Sequence, residues 1–214
     1  MVIDMADSTN MSPEWVKSVL SKYPCTVLES GDIRTCPVRL SFPWVFKKQE
    51  AMEEGGKPKY AATLLFPHGA DLTVLRKAAE QTVREKWGEG AGKKFTIHSP
   101  FRDQKDKAER YDGYTPGAYF ITSSSERKPP VVDTKRVPVV DEAKVYPGVW
   151  ALVIVRPFAY EKKVKRGISF GLQSLMIFHD DVQLGGGAID PETAFAGVDP
   201  IDVSNDLTLE DLMG

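Results

Sequence analysis

The sequence contains few of the residues and motifs on which disulfide scaffolds, metal sites and enzymes depend. Its 214 residues include two cysteines, Cys25 and Cys36, in no C-x-x-C pair and with no histidine at ligand spacing. They neither require a disulfide framework nor build a zinc site, and they indicate a reducing compartment. The three histidines lie far apart, and the chain has no G-x-S-x-G, H-E-x-x-H or Walker motif. We therefore expect a protein that is not an enzyme and that holds no cofactor and no metal.

Long apolar runs and targeting signals are also missing. The longest apolar run, Val149 to Val155, has seven residues, whereas a membrane helix needs about 20. The N-terminus carries acidic residues where a secretory signal carries basic ones, and it lacks an apolar middle segment. These features predict a cytoplasmic protein without a membrane partner.

Charge is distributed unevenly along the chain. The net charge is −2, but residues 180–214 contain nine acids and no Lys or Arg, which leaves 28 cations and 21 acids, a net charge of +7, in residues 1–179. A basic body with an acidic tail favours a polyanionic partner for the body and either self-competition or protein docking for the tail. A tail that only keeps the protein soluble explains the same charges.

Hydrophobic periodicity predicts a mainly β protein with five strands, one main helix and one short helix. Ser12-Pro13 is typical of a helix start, and Asp71 to Trp87, with Gly88 after it, predicts the main helix. Alternating apolar residues predict strands in five segments, the first of them shortened by Pro43: 38–42, 60–66, 118–122, 145–160 and 167–178.

The chain divides into three predicted parts. Residues 1–34 form an N-terminal helical extension, residues 35–179 form the nucleic-acid-binding domain, and residues 180–214 form a flexible, disordered acidic tail. The last tail residues can form a helical turn against a partner, so we assign partner binding to Asp206, Glu210, Asp211, Leu212 and Met213.

Basic side chains interleaved with aromatic rings are the positive functional signal. A groove for single-stranded nucleic acid needs Lys and Arg for the phosphates and flat rings on which bases stack, at about 1–3 kcal/mol per base without demanding a sequence. The segments that supply both predict DNA binding by Lys57, Lys59, Tyr60, Phe101, Arg102, Lys105, Tyr111, Tyr114, Tyr119, Arg127, Lys128, Lys135, Arg136, Arg156, Phe158, Tyr160, Lys162, Lys163, Lys165 and Arg166.

Core packing is the competing interpretation for several rings. Tyr60 and Tyr119 alternate with apolar neighbours, so a place in the core explains them at least as well as stacking does. We assign Phe42, Trp87, Trp150 and Phe170 to the core. The cations around Lys163 form either a solvated turn or an anion site.

Several sequence strings resemble a family of phage single-stranded DNA-binding proteins that was first described as a domain of unknown function. The strings, in order and at similar spacing, are residues 38–43 (VRLSFP), 56–62 (GKPKYAA), 128–133 (KPPVVD), 145–148 (VYPG), Tyr160, 165–172 and 184–186. The resemblance covers roughly residues 36–187.

The resemblance implies a five-stranded OB-fold barrel of T7-type architecture. It further implies non-catalytic, largely sequence-independent binding of single-stranded DNA during phage replication or recombination, in the cytoplasm of the host cell. It also implies an acidic tail that contacts phage polymerase, helicase or recombination proteins. The alternatives are an OB protein that binds RNA or double strands, and a protein adaptor. Assembly into a homo-oligomer is possible on either interpretation.

Overall fold

The computed structural model describes residues 10–51, 56–162, 165–185 and Gly197. Nine strands form one sheet: β1 (Thr26–Val27), β2 (Ile33–Arg34), β3 (Val38–Gln49), β4 (Lys59–Leu65), β5 (Arg102–Asp103), β6 (Tyr119–Ser125), β7 (Val131–Val132), β8 (Trp150–Lys162) and β9 (Lys165–His179). The helices are α1 (Pro13–Lys22), α2 (Thr73–Trp87), α3 (Ala91–Lys94) and α4 (Lys105–Ala108), with a 3-10 turn at Glu142–Lys144. None of the helices in these ranges is long and apolar enough to cross a membrane.

The five long strands close into a barrel. Strand β3 pairs with β4, β4 with β6, β6 in parallel with β9, β9 with β8, and β8 again with β3. This closed circuit of five strands, with one parallel pair, confirms the predicted OB-fold barrel. Of the remaining strands, β1, β2 and β7 extend the sheet beside β8 and β9, and β5 pairs with β6.

The barrel interior and the main helix follow the predicted pattern. Trp150 and Phe170 are fully buried, as expected, and α2 packs Leu75 and Ala79 against the same core. The Asp71 carboxylate accepts a hydrogen bond at 2.8 Å from the amide of Thr73, the first residue of α2. The helix ends at Trp87, and the φ of 79° at Gly88, which follows it, is in the region that glycine adopts without strain.

Strand β3 departs from the prediction at Phe42 and Pro43. The strand does not stop at Pro43 but continues to Gln49, with a register shift between Ser41 and Trp44. Phe42 has a φ of 49°, and this irregularity turns its ring outward, where it is 39% exposed. The assignment of Phe42 to the core is therefore wrong, and that of Trp87 holds only in part, since its ring is half-buried.

The segments before and after the barrel pack on it. In α1, the Trp15 ring lies 5.4 Å from the Trp150 ring, measured between centroids. After β9, the buried Asp181 carboxylate accepts a hydrogen bond from Trp150 Nε1 at 2.7 Å and lies 3.3 Å from Arg39 Nε. Leu184 is buried beside Tyr114 and Phe120. Residues 181–184, which the sequence assigns to the tail, thus lie against the body.

Candidate nucleic-acid interface

A row of small residues crosses the outer face of the barrel. The register places Trp44 of β3 beside Ala61, Ala61 beside Ser124, and Ser124 beside Gly171 of β9. Ala61 and Ser124 alternate with residues of the barrel interior, so their side chains are on the outer face, although Ala61 itself is only 8% exposed. Thr63 and Thr122 pair in the next row. We call Ala61, Thr63, Thr122, Ser124 and Gly171 the small-residue floor.

Exposed rings from β3 and from the loop before β6 border one side of the small-residue floor. Trp44 is 43% exposed and lies at the end of the row. The Phe42 ring packs edge to face on Tyr111 at 5.2 Å between centroids. The Lys107 ammonium lies 5.7 Å and 5.5 Å from the centroids of these two rings. Together Phe42, Trp44, Lys107 and Tyr111 form what we call the β3 rim.

Lys107 has an unusual environment for a surface lysine. Its Nζ also lies 5.7 Å from the Tyr114 centroid and 5.2 Å from the Phe120 centroid. Burial among these rings, and to a smaller degree the charge of Arg102, lowers the pKa of Lys107. The cation is thus held close to aromatic rings at the border of the small-residue floor.

Strand β8 supplies the opposite border. Arg156 is the register partner of Gly171, and Phe158, 41% exposed, follows it on the same outward face. Tyr160 is the partner of Gly167, where a Cβ atom would meet the Tyr160 hydroxyl at 2.5 Å, so the phenol ring lies across the glycine. We call Arg156, Phe158 and Tyr160 the β8 rim.

Arg156 forms an ion pair with Asp32. Its Nε and Nη2 donate to the two carboxylate oxygens of Asp32 at 2.6 Å and 2.9 Å. This pairing lowers the pKa of Asp32 and raises that of Arg156. The arginine side chain is nevertheless more than half exposed at the end of the small-residue row.

Cations lie close together where β3 and β6 end and β4 begins. The Lys48 ammonium lies 5.6 Å from the Tyr60 centroid, and that of Lys128 lies 5.2 Å from the Phe46 centroid. Lys59 pairs loosely with Glu126 at 3.9 Å. Lys57 and Arg127 are exposed in the same connections. Several of the predicted cations therefore lie at one end of the small-residue floor.

The hairpin between β8 and β9 carries a second set of predicted cations. Lys162 and Lys165 are paired in the register and exposed, while Lys163 lies outside the described residues. Arg166 donates to Glu161 and places its guanidinium carbon 4.6 Å from the Phe95 centroid. The hairpin continues the β8 rim beyond Tyr160.

Other predicted residues lie elsewhere or are covered. The guanidinium carbon of Arg76 in α2 is 4.9 Å from the Phe101 centroid and 4.8 Å from that of Tyr119, so both rings lie beside the helix, although Tyr119 is still 39% exposed. Tyr114 is only 6% exposed, and its hydroxyl donates to Ser41 Oγ at 3.1 Å. Its ring has little surface for a base, and burial raises its pKa. The remaining four predicted cations are exposed: Arg102 in β5, Lys105 in α4, and Lys135 and Arg136 in the turn after β7.

The residues predicted from the sequence to bind DNA do not include Phe42, Trp44, Lys48 or Lys107, which the structure places at the border or the end of the small-residue floor. The alternation from Val38 to Phe42 predicted a core position for Phe42. Because Pro43 predicted the end of the strand, the continuation of the strand to Trp44 was not predicted. A proline between two aromatic residues in a strand is a signal of a bulge that could have exposed them. The predicted tail residues Asp206, Glu210, Asp211, Leu212 and Met213 lie outside the described residues.

The small-residue floor and its two rims bring exposed rings and cations together on the outer face of the barrel. Across residues 10–51, 56–162 and 165–185, no group of three or more His, Cys, Asp or Glu residues could hold a metal ion. The protein-family model described as Enterobacter phage Enc34, ssDNA-binding protein, matches residues 31–208. The chain belongs to this family. Among the curated proteins, none matches the sequence.

Solved structures of the Enc34 family share the fold. The single-stranded DNA-binding protein from bacteriophage Enc34 in complex with ssDNA is 24% identical, with a TM-score of 0.64 over 75% of this chain and 93% of that one. A second structure of the single-stranded DNA-binding protein from bacteriophage Enc34 is 23% identical, with a TM-score of 0.63 over 81% of this chain and 94% of that one. The gp2.5 single-stranded DNA-binding protein of bacteriophage T7 is 13% identical, with a TM-score of 0.53 over 83% and 100%.

Proposed function

We propose that this chain binds single-stranded DNA, largely without sequence preference and without catalysis, in phage DNA replication or recombination. Membership of the Enc34 family supports the substrate class, and the small-residue floor between two aromatic rims supports the mode. The DNA strand crosses the floor from the β3 rim to the β8 rim. Its bases lie on the exposed rings, and its phosphates lie near the cations.

The row from Trp44 to Gly171 is the observation that carries the proposal. It crosses three neighbouring strand spacings, about 14 Å, and its two middle residues, Ala61 and Ser124, have small side chains. A flat floor bordered by exposed rings gives unstacked bases access to ring faces. A duplex offers no such unstacked bases, so the geometry favours single strands.

Within the proposed interface, the predicted residues have unequal roles. We place Tyr60, Tyr111, Phe158, Tyr160 and the cations at the two ends of the floor in contact with DNA, together with the β3 rim. We leave out Tyr114, which is buried, and Phe101 and Tyr119, whose rings lie against Arg76 of α2. Lys135 and Arg136 lie beside β9 on the extension of the sheet, away from the rims.

The acidic tail has a proposed role of its own. Its charge opposes that of the cationic rims, so the tail competes with DNA for the interface and docks other phage replication proteins when DNA displaces it. We place the protein in the host cytoplasm, where those partners and the DNA are found.

Fluorescence anisotropy with a labelled oligo-thymidine tests the function. We expect affinity of the full chain to fall with salt, with a slope of log affinity against log salt of about −0.7 per phosphate contact. RNA and duplex DNA of equal length serve as comparisons, and both should bind more weakly. Tighter binding to either one would favour the alternative OB-protein class, and no salt-dependent binding to any nucleic acid would favour a protein adaptor.

A further inference from the structure

A groove of about 390 Å³ lies on the outer face of β8 and β9, toward the His179 end and away from the Phe158 end of these strands. Its bottom is apolar, because Leu152 pairs with Met176 and Ile154 pairs with Ser174 across the two strands. Tyr23, at the end of α1, and Phe178 close one side, with their rings edge to face at 5.3 Å. We call this the β8–β9 groove.

Two arginines line the β8–β9 groove. Arg34 is the register partner of Ile154; its Nη2 donates to Thr26 Oγ1 at 3.2 Å, but its buried Nε has no hydrogen-bond partner among the described residues. Arg136 borders the groove from the turn after β7, where its φ is 65°. None of the described residues that line the groove is acidic. An apolar groove with two arginines and an unsatisfied buried donor matches an acidic, apolar segment.

We propose that residues 206–213 of the acidic tail dock in the β8–β9 groove. This segment contains three leucines, a methionine and three acids, in the order DLTLEDLM. The leucines supply apolar side chains for the surface of Leu152, Ile154 and Met176. The carboxylates accept charge-assisted hydrogen bonds from the two arginines, which need acidic partners in an apolar groove.

The chain's own tail fits the groove better than the other occupants. A second copy of the same face would bring its two arginines against these two, which opposes association. Nucleic acid would match the arginines but would find aliphatic side chains, rather than exposed rings, beneath its bases. The tail segment combines apolar and acidic side chains within eight residues.

Tethering also favours the tail. Leu209 is 24 residues beyond Gly185, where the continuously described part of the chain ends, and 24 extended residues span up to about 80 Å. A segment attached to the same chain acts at an effective concentration of the order of millimolar. Docking of residues 206–213 leaves Asp190, Glu192, Asp199 and Asp202 for the proposed competition with DNA. The inference does not depend on DNA binding.

Photo-cross-linking within the full chain tests the docking. Leu209 is replaced by a benzophenone-bearing amino acid, the dilute protein is irradiated without DNA, and the cross-linked peptides are mapped by mass spectrometry. We expect cross-links to the Leu152–Ile154 and Ser174–Phe178 segments, with a yield that does not change with protein concentration. Arg136→Glu should lower that yield about threefold or more, because it replaces attraction by repulsion.

Lys135→Glu is the matched control, since Lys135 precedes Arg136, is exposed, and does not line the groove. It makes the same change in charge and should leave the yield within about 1.5-fold of the unchanged protein, as expected for an exposed charge outside the contact. Four results would overturn the proposal: equal losses in both variants, cross-links to the small-residue floor, cross-links only between chains, or no cross-link to the body.

Discussion

At the scale of single residues, buried charge determines where the chain after β9 is held. Arg39 is almost fully buried; its Nε donates to Gly148 O at 3.1 Å, its Nη2 donates to Val182 O at 2.6 Å, and the Asp181 carboxylate provides its counter-charge. Removing one member of a buried ion pair leaves the other charge uncompensated, at a cost of about 3–5 kcal/mol.

Asp181→Ala should therefore destabilise the protein by about 3 kcal/mol, measured as the free energy of unfolding in urea. Asp180→Ala is the matched control, because the neighbouring Asp180 is exposed and its contact is a hydrogen bond from the Tyr146 hydroxyl at 3.1 Å. It should cost less than about 1 kcal/mol. Equal losses in the two variants would contradict the importance of the Arg39–Asp181 pair.

The Asp32–Arg156 pair predicts a dependence of stability on pH. Hydrogen bonding to Arg156 lowers the pKa of Asp32 in the folded state, so the pair stabilises the fold above the unfolded pKa of about 3.9 and loses that contribution as the pH falls through the folded value. The difference in unfolding free energy between the unchanged protein and Arg156→Gln should thus be constant near neutral pH and shrink below about pH 4. A difference that grows in acid would contradict this assignment.

At the scale of secondary-structure elements, the exposed rings of β3 and β8 should account for much of the affinity for DNA. Trp44→Ala and Phe158→Ala should each weaken binding of oligo-thymidine roughly 5- to 150-fold, which corresponds to about 1–3 kcal/mol per stacked base. Tyr119→Ala is the matched control, because its ring is equally exposed but lies under Arg76 of α2. Anisotropy titrations at one salt concentration give the comparison.

A loss of affinity in Tyr119→Ala as large as that in Trp44→Ala would move the interface to the α2 end of the barrel. Circular dichroism of each variant checks that the barrel is intact. If Trp44→Ala and Phe158→Ala lose affinity with an intact barrel and Tyr119→Ala does not, the result supports DNA binding on the floor between β3 and β8.

The elements also show what the sequence can and cannot predict. All five barrel strands and α2 are predicted from hydrophobic periodicity, because that pattern is contained within each segment and needs no knowledge of its neighbours in the fold. The floor does not, because Ala61, Ser124 and Gly171 belong to three strands that meet through the pairing of β4 with β6 and the parallel pairing of β6 with β9. The exposure of Phe42 depends on a bulge beside Pro43, and alternation alone predicted the opposite.

At the scale of the whole molecule, opposite charges are concentrated in the body and in the tail. If the tail competes with DNA, neutralising the seven acids from Asp190 to Asp211, with Asp to Asn and Glu to Gln, should raise affinity for oligo-thymidine at low salt. The gain should fall as salt is added, because screening weakens exposed charges. Asp180 and Asp181 stay unchanged, since Asp181 belongs to the fold. Unchanged affinity at low salt would contradict the competition.

The central claim is that single-stranded DNA crosses the small-residue floor between the β3 and β8 rims. The most direct measurement is photo-cross-linking of the full chain to an oligonucleotide that carries 5-bromodeoxyuridine, with the modified residues identified by mass spectrometry. We predict cross-links at Trp44 and Phe158, on both sides of the floor. Cross-links confined to Phe101 and Tyr119 under α2, or to the turn at Lys135 and Arg136, would contradict the claim.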